Sequence, residues 1–183
     1  MFLRPAVLSD ANAMAEVHVR AWRETYRGIM PDKVLDELVV EHRAERWSAT
    51  IAGLSEKRQI LSVAVDDSDT IVGFAGGGAA REQVLTTGGE VYAINLVMQA
   101  TRKGLGTRLM LAMADALIAN GFADAGLWVL EKNIGARWFY ESLGGSIAAR
   151  HERDFDGTML TELGYVWRDV RGLKRAAERL IAS

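Results

Sequence analysis

The chain has 183 residues, of which 49% are hydrophobic and 25% charged, and its formal net charge is −2. This length and composition predict one globular domain over residues 1–183, without the strongly basic surface that attracts nucleic acid or an anionic membrane. The chain lacks cysteine, which excludes disulfides, thiolate metal sites and a cysteine nucleophile. The N-terminal residues lack the apolar core of a signal peptide and no apolar stretch is long enough to span a membrane, so we expect a cytoplasmic location.

The first third of the chain predicts one short strand followed by helices. Residues 2–7 are partly apolar, and Pro5 restricts them to a sheet edge or a strand end. Apolar residues then recur at helical spacing over residues 11–25 until Gly28 and Pro31 break the pattern. A second helical pattern over residues 32–53 fits two helices or one bent helix. One face of the first helix carries Met14, Val17, His18, Ala21, Trp22 and Thr25.

Beyond Gly53 the apolar period changes to two, which is typical of strands. Residues 59–65 and 70–75 flank an acidic turn and predict a hairpin. The three glycines at 76–78 then predict a bulge or a close approach of two backbones. The next strand, Glu90 to Met98, is apolar on both faces and is therefore expected at the centre of the sheet.

A basic turn with two glycines, residues 101–106, connects this strand to a helix over residues 105–120. The first N–H groups of a helix lack partners inside it, and the helix dipole leaves about half a positive charge there. Two glycines would let an anion approach the backbone, and two basic side chains add charge, so the turn predicts a phosphate site. A plain strand-to-helix connection is the alternative for a GxG sequence alone. The helix is predicted to bury Leu105, Leu109, Ala112, Met113, Ala116 and Leu117.

The last third predicts a strand, a helix and a hairpin. Residues 125–130 form a short apolar strand, and the order strand, helix, strand implies parallel pairing with a right-handed crossover. Asn133 is placed to cap the next helix, which ends at Gly144. Together these elements predict a mixed α/β layer architecture.

Asp156 and Gly157 predict a tight hairpin turn between strands 147–155 and 158–167. An exposed strand such as Thr158–Trp167 could pair across a homodimer. The tail from Arg171 is expected to be helical and solvated.

Four segments occur in a fixed order along the chain: Leu96–Met98, Arg102–Gly106, Trp128–Asn133 and Ala136–Gly144. In order and spacing they resemble the GNAT superfamily of acyl-CoA-dependent N-acyltransferases. The resemblance implies an α/β fold in which a mixed central sheet contains a splayed parallel strand pair and carries helices on both faces. One position departs from the family's pyrophosphate motif, because Thr101 stands where Gln or Arg is usual.

The resemblance further implies that acetyl-CoA lies between the two splayed strands as the acyl donor. Its pantetheine amides would pair with the open backbone of the first strand, much as an added strand pairs with a sheet edge. Its pyrophosphate would lie at the glycine turn. The residues implied in acetyl-CoA binding are Leu96, Val97, Met98, Arg102, Lys103, Gly104, Leu105, Gly106, Thr107, Asn133 and Arg137.

The resemblance also implies two catalytic side chains. Tyr140 would stand near the thioester sulfur and act as general acid towards the leaving thiolate; packing against its aromatic neighbours is the alternative. An alkylammonium has a pKa near 10.4 and must lose a proton before it can attack. Glu90 would take this proton directly or through water. A solvated residue at the start of a strand is the alternative for Glu90.

These features predict an N-acetyltransferase that moves an acetyl group from acetyl-CoA to a primary amine of a small molecule or peptide by direct attack. A non-catalytic module that binds acyl-CoA is the alternative, and a dinucleotide loop is a weaker one because the third glycine of that fingerprint would fall at Leu109. Trp22 and Tyr26 either line an acceptor pocket or belong to the core. His18 is expected to be a packed or hydrogen-bonded histidine and not a base. The sequence predicts no metal site and no nucleic-acid or membrane partner.

Overall fold

The computed structural model describes residues 1–56 and 58–182. Two short 3-10 turns accompany the helices and strands, which we number in chain order. The strands are β1 (Phe2–Pro5), β2 (Ile60–Val65), β3 (Ile71–Ala79), β4 (Gly89–Leu96), β5 (Ala125–Leu130), β6 (Ser146–Phe155) and β7 (Thr158–Trp167). The helices are α1 (Ala11–Tyr26), α2 (Asp32–Asp36), α3 (Val40–Ala52), α4 (Leu105–Ala119), α5 (Ile134–Ser142) and α6 (Val170–Ala182).

The described strands form one seven-stranded sheet in the order β1-β2-β3-β4-β5-β7-β6. Each neighbouring pair is antiparallel except β4 and β5, which run parallel. This parallel pair is joined only where Gly89 lies opposite Ala125 and Glu90 opposite Gly126. Beyond Glu90 the two strands diverge, which confirms the predicted mixed sheet with a splayed parallel pair.

A bulge interrupts β4 directly after this short junction. Gly76 lies opposite Ala93 and Gly77 opposite Val91, so Tyr92 is the extra residue on β4. A Cβ atom on Gly77 would lie 2.7 Å from the carbonyl oxygen of Glu90. The glycine run therefore allows the close approach of two backbones that its sequence predicts, and the bulge bends β4 away from β5.

Helices cover both faces of the sheet, as predicted. The helices α1 and α3 pack together over one face, and α4 and α6 pack together over the other. The second helical pattern of the sequence is two helices, the short α2 and the longer α3, separated by residues 37–39. The buried residues of α4 are Leu105, Leu109, Met110, Met113, Ala114 and Leu117. Met110 and Ala114 thus replace the predicted Ala112 and Ala116, because α4 is covered by the sheet and by α6 together.

Two predictions about the C-terminal third are wrong. The tail helix α6 is not solvated, since Val170, Leu173, Ala176 and Ala177 are buried against the domain. The strand β7 is not exposed for pairing, since it lies between β5 and β6. The edge strand at this end of the sheet is β6. It turns into β7 through Asp156 and Gly157, both with positive φ angles as the predicted hairpin requires.

Within residues 1–56 and 58–182, no helix has both the length and the apolar character that crossing a membrane demands.

Candidate active site

The divergence of β4 from β5 opens a cleft of about 1430 Å³. Residues of α1 and α3 form one wall, the exposed flank of β4 and the start of α4 form a second, and β5, α5 and the β6–β7 hairpin form the third. Of the thirteen predicted site residues, eight line this cleft: Glu90, Leu96, Arg102, Gly104, Gly106, Thr107, Asn133 and Tyr140. The remaining five, Val97, Met98, Lys103, Leu105 and Arg137, do not line it.

The start of α4 has the geometry of an anion site. Gly104 takes a φ angle of 77°, a left-handed conformation that side-chain-bearing residues rarely adopt. The first hydrogen bond that closes a turn of this helix runs from the Arg108 N–H to the Gly104 carbonyl, at 3.0 Å. The N–H groups of residues 105–107 precede this bond, and no side chain caps them within the described chain. The buried Leu105 side chain anchors the helix in the core, while its backbone stays available.

Thr101 does not act as a free hydroxyl donor beside these amides. Its Oγ1 donates to the Met98 carbonyl at 2.7 Å, and its backbone N–H donates to the same oxygen at 3.0 Å. The hydroxyl therefore closes the turn that precedes α4. Arg102 is exposed, has a φ angle of 56° and lines the cleft, so it is a cation that borders the cleft two residues before Gly104.

The end of β4 differs from the predicted open backbone. The Val97 N–H donates to the Val72 carbonyl at 3.0 Å, and the Met98 N–H donates to Glu24 Oε2 at 2.6 Å. Both N–H groups are therefore occupied, because α1 and β3 approach the chain where it leaves the sheet. The unpaired flank of β4 instead runs from Val91 to Leu96, along the splay.

Asn133 has two roles in the structure. Its Oδ1 accepts a hydrogen bond from the Ala136 N–H at 3.2 Å and caps α5, as predicted. Its side chain also contacts the Tyr26 hydroxyl. Burial raises the pKa of Tyr26, the hydrogen bond with Asn133 opposes this shift, and the Glu162 carboxylate adds to it. Asn133 thereby ties α1 to α5 across the floor of the cleft.

Arg137 is committed to the protein itself. Its Nη1 donates to the Glu131 carbonyl at 3.1 Å and its Nε donates to the Tyr165 hydroxyl at 3.4 Å. These bonds hold α5 against the sheet. Arg137 does not line the cleft, and its contact with acetyl-CoA stays a prediction.

Tyr140 lies on α5 with its ring packed against Phe139, Tyr165 and Trp167, at centroid distances of 5.4, 5.9 and 6.1 Å. Trp138, by contrast, is 70% exposed and takes no part in this packing. Burial raises the pKa of the Tyr140 hydroxyl above its ordinary value, and the neighbouring Tyr26 reinforces the shift. Tyr140 therefore combines a fixed, buried ring with a protonated hydroxyl beside the cleft.

Glu90 is 4% exposed and lines the cleft at the junction of β4 and β5. Its two carboxylate oxygens accept three hydrogen bonds from Arg81: from the backbone N–H at 2.8 Å, from Nε at 3.1 Å and from Nη2. The sequence does not reveal Arg81, because this residue precedes Glu90 in an irregular loop. Proton transfer to Glu90 requires this ion pair to loosen.

The β6–β7 hairpin contributes a second polar group, which is not among the predicted site residues. His151 Nε2 lies 2.9 Å from Glu162 Oε2, and the His151 ring stacks on Trp128 with centroids 4.0 Å apart. All three residues line the cleft. The pair could have been found from the two-residue turn at Asp156 and Gly157, because the register that this turn sets places residues 151 and 162 opposite each other.

His18, expected to be packed, is packed but has no hydrogen-bond partner. Its ring nitrogens Nδ1 and Nε2 are both buried and unpaired within the described structure. Leaving one buried polar atom unpaired costs about 1–3 kcal/mol, so this histidine is an unusual core residue. It faces the cleft together with Trp22 and Tyr26, so these two aromatic residues belong both to the packed interior and to the cleft wall.

Within residues 1–56 and 58–182, no three acidic, histidine or cysteine side chains come together in a way that could hold a metal ion.

The sequence and the fold both match known acetyltransferases. Residues 15–145 match the model of the acetyltransferase (GNAT) family. An uncharacterized N-acetyltransferase of Bacillus subtilis, YuaI, is 32% identical over 177 residues, which cover 97% of this chain and 98% of that protein.

Two solved structures have a similar fold. The PaiA N-acetyltransferase of Thermoplasma acidophilum, in complex with coenzyme A, gives a TM-score of 0.70 at 22% identity and covers 88% of this chain and 96% of its own. YncA of Salmonella typhimurium, a putative acetyltransferase with acetyl-CoA, gives a TM-score of 0.69 at 18% identity, and the match covers 91% of this chain and 92% of YncA. The family match over most of the chain, the full-length relative and the splayed sheet agree. The chain belongs to the GNAT family and is an acyl-CoA-dependent acetyltransferase.

Proposed function

We propose that this protein transfers an acetyl group from acetyl-CoA to a primary amine of a small molecule or peptide by direct attack. The observation that carries the proposal is the cleft itself. It joins the unpaired amides at the start of α4 to the Tyr140 hydroxyl through the gap between β4 and β5. Similar folds that hold coenzyme A or acetyl-CoA support this choice of donor.

In this proposal the diphosphate of acetyl-CoA binds at residues 104–107, and Arg102, which lines the cleft, contributes positive charge. Each helix-terminal contact contributes roughly 0.3–1 kcal/mol, so several amides act together. The pantetheine arm follows the unpaired flank of β4 as far as Leu96, because the N–H groups of Val97 and Met98 are occupied. Asn133 borders the arm from the other side of the gap.

The ammonium loses two protons in the reaction and the sulfur gains one, so one proton is released to solvent. One proton leaves the ammonium before attack and passes through the base to solvent. A C–N bond then forms as the C–S bond breaks, coenzyme A departs as a thiol with a proton from the general acid, and the second proton of the attacking nitrogen replaces the one that the acid gave. Tyr140 serves the sulfur. A phenol is protonated at neutral pH, and burial raises the pKa of Tyr140 further, so the hydroxyl holds its proton until negative charge develops on the leaving sulfur.

Glu90 is the proposed acceptor of the amine proton, directly or through a water molecule. Its burial beside the splay places a carboxylate near the gap, and the Arg81 ion pair controls when that carboxylate is free. The pair of His151 and Glu162 is the competing base, because it also faces the cleft and has no cation as close to its carboxylate as Arg81 is to Glu90.

A thiol-release assay with acetyl-CoA and a broad panel of amines tests the proposal. We expect release with at least one class of primary amine. We expect Tyr140→Phe to lower kcat roughly 10²-fold or more while leaving the KM for acetyl-CoA nearly unchanged. Tyr165→Phe is the matched control, because its hydroxyl bonds to Glu141 outside the cleft. Tight acetyl-CoA binding in calorimetry without release for any amine would favour a non-catalytic acyl-CoA-binding module instead.

The two candidate bases are separated by Glu90→Gln and Glu162→Gln in the same assay. A base contributes about 10²–10⁴-fold, so the variant that removes it should lose that much in kcat. We expect the loss for Glu90→Gln, and we expect Arg81→Gln to keep turnover because it frees the carboxylate. Full activity of Glu90→Gln together with an inactive Glu162→Gln would assign the role to the hairpin pair.

We also propose a cytoplasmic location, as the composition predicts. If the protein forms a homodimer through its sheet, the edge strands β1 and β6 are the strands able to pair across it, since β7 is internal to the sheet.

A further inference from the structure

The wall of the cleft formed by α1 and α3 contains polar groups that the transfer mechanism does not use. His18 is 7% exposed, borders the cleft and has no partner for either ring nitrogen among the described residues. Buried polar atoms in folded proteins nearly always have a partner. An unpaired nitrogen at the wall of a cleft is therefore a place where a bound molecule can supply the missing hydrogen bond.

Aromatic neighbours hold the His18 ring in place. Trp22 stacks on it at a centroid distance of 5.0 Å, and Phe74 and Trp47 lie at 6.3 and 6.0 Å. With rings on these sides, the imidazole has little freedom to rotate towards another protein partner. Its orientation is fixed before any ligand arrives, which lowers the entropy cost of binding.

The imidazole is neutral under physiological conditions. Burial lowers the pKa of His18 to about 3, and the charges of Arg43 and Arg46 contribute to the shift. A neutral ring offers one N–H donor and one acceptor nitrogen. The groups that face it are these two arginines of α3 and the aromatic rings, so the wall has no carboxylate against His18 among the described contacts.

Arg43 and Arg46 are the second observation. Both line the cleft, and neither forms an ion pair within the described chain. Arg43 is half-buried, with its guanidinium 5.8 Å from the centre of the Trp22 ring. Burial lowers its pKa, and the charge of Arg46 adds to that shift. Two cations that face the same cleft without a counter-ion are complementary to an anion.

We propose that His18, Arg43 and Arg46 form an acceptor subsite for an anionic group, so that the amine substrate also carries a carboxylate or an anion of similar shape. The inference rests on the proposed acetyl transfer and names its substrate class. The anion would bind between the two guanidinium groups and accept from the His18 ring, and the apolar part of the substrate would lie against Trp22 and Trp47. Free amino acids are the simplest compounds with this chemistry.

The position of the wall separates this subsite from the donor site. The helices α1 and α3 lie on one face of the sheet, whereas α4, whose first amides are proposed to bind the diphosphate, lies on the other. The hairpin side of the cleft carries Glu162 with His151. In this arrangement the anionic group of the substrate would face the two arginines of α3, and its ammonium would face the Glu162 carboxylate on the hairpin side.

The test compares α-amino acids with their carboxamides, which keep the amine and side chain but lose the negative charge. In the thiol-release assay we expect kcat/KM to be at least tenfold higher for the acids. Arg43→Gln should lower kcat/KM for the acids roughly 10- to 100-fold, leave the carboxamides nearly unchanged and leave the KM for acetyl-CoA unchanged. Arg179→Gln, which removes an exposed arginine on α6, is the matched control and should behave like the unaltered protein.

A binding measurement distinguishes failure of the subsite from failure of the transfer reaction. The ring resonances of His18 in nuclear magnetic resonance spectra should shift when an amino acid is added and should not shift with its carboxamide. If no amine is acetylated but this selective shift occurs, the subsite stands and the proposed transfer fails. Equal reactivity of acids and carboxamides, or equal shifts of the His18 signals by both, would overturn the subsite.

Discussion

Replacement of His18 should change how the stability of the protein depends on pH. In the unfolded chain a histidine has an ordinary pKa of 6.5, whereas in the folded protein burial lowers the pKa of His18 to about 3. Below the unfolded value, the unfolded chain therefore binds a proton that the folded protein does not. Linkage then requires the free energy of unfolding to fall as the pH is lowered from 6.5 towards 3.

The size of this loss of stability depends on how far the pH lies below the unfolded pKa of His18. Each pH unit below the unfolded pKa costs about 1.36 kcal/mol of stability. Between about pH 7.5 and about pH 5 the His18 contribution is therefore a loss of about 2 kcal/mol. The variant His18→Gln has no titrating ring at this position, so its stability should decline by about 2 kcal/mol less over the same range.

Urea unfolding at several pH values, followed by circular dichroism, measures both slopes. Other groups titrate in this range, but they do so in both proteins, so the difference between the slopes isolates His18. His42→Gln removes an exposed histidine of α3 and is the matched control. Parallel pH profiles of the unaltered protein and His18→Gln would refute the reasoning, since they would mean that the folded protein binds the proton as readily as the unfolded chain.

Three further changes should alter stability by amounts that chemical unfolding can measure. Gly104→Ala should cost about 1–2 kcal/mol because its left-handed backbone disfavours a Cβ atom, whereas Gly135→Ala near the start of α5 should cost nothing since open space surrounds that position. Asp10→Asn should cost roughly 1.5–3 kcal/mol, because the buried carboxylate accepts from Arg4 at 2.6 and 2.9 Å. This hydrogen bond to Arg4 lowers the pKa of Asp10 below 3.8, so the difference should be present above that pH and disappear as the pH falls through the lowered value. Trp167→Phe should cost about 1–3 kcal/mol, because the indole N–H donates 3.0 Å to a buried carbonyl at the end of α5.

Most helices and strands could be predicted because they depend on local patterns, whereas the splayed pair follows from the resemblance to the GNAT superfamily. The change from a helical period to a period of two marks the start of β2, and the two-residue turn at Asp156 and Gly157 sets the register of β6 and β7. The bulge in β4 follows from the glycines of β3, where close backbones require the absence of side chains. Each of these signals lies within a few residues of the structure that it specifies.

The errors arise where a distant part of the chain supplies the partner. The helix α6 looks solvated in isolation, and only the presence of α4 shows what its apolar face covers. The N–H of Met98 looks free until Glu24 arrives from α1, 74 residues earlier. The same reason applies to Arg81 and His18. The ion pair of Arg81 and the unpaired, buried ring nitrogens of His18 depend on tertiary packing, which no local sequence pattern expresses.

The packing of α6 on α4 has a consequence for the ends of the molecule. The last helix, α6, packs against α4, and the first amides of α4 form the proposed diphosphate site. Lys174 of α6 forms an ion pair with Asp115 of α4 at 2.7 Å. Removing residues 170–183 would remove the packing of α6 on α4 and expose apolar surface on the outer side of α4. Both acetyl-CoA at the start of α4 and an intact α6 should therefore slow the exchange of α4 backbone amides with solvent. Hydrogen exchange in the C-terminal part of the molecule should then change when the donor site is occupied.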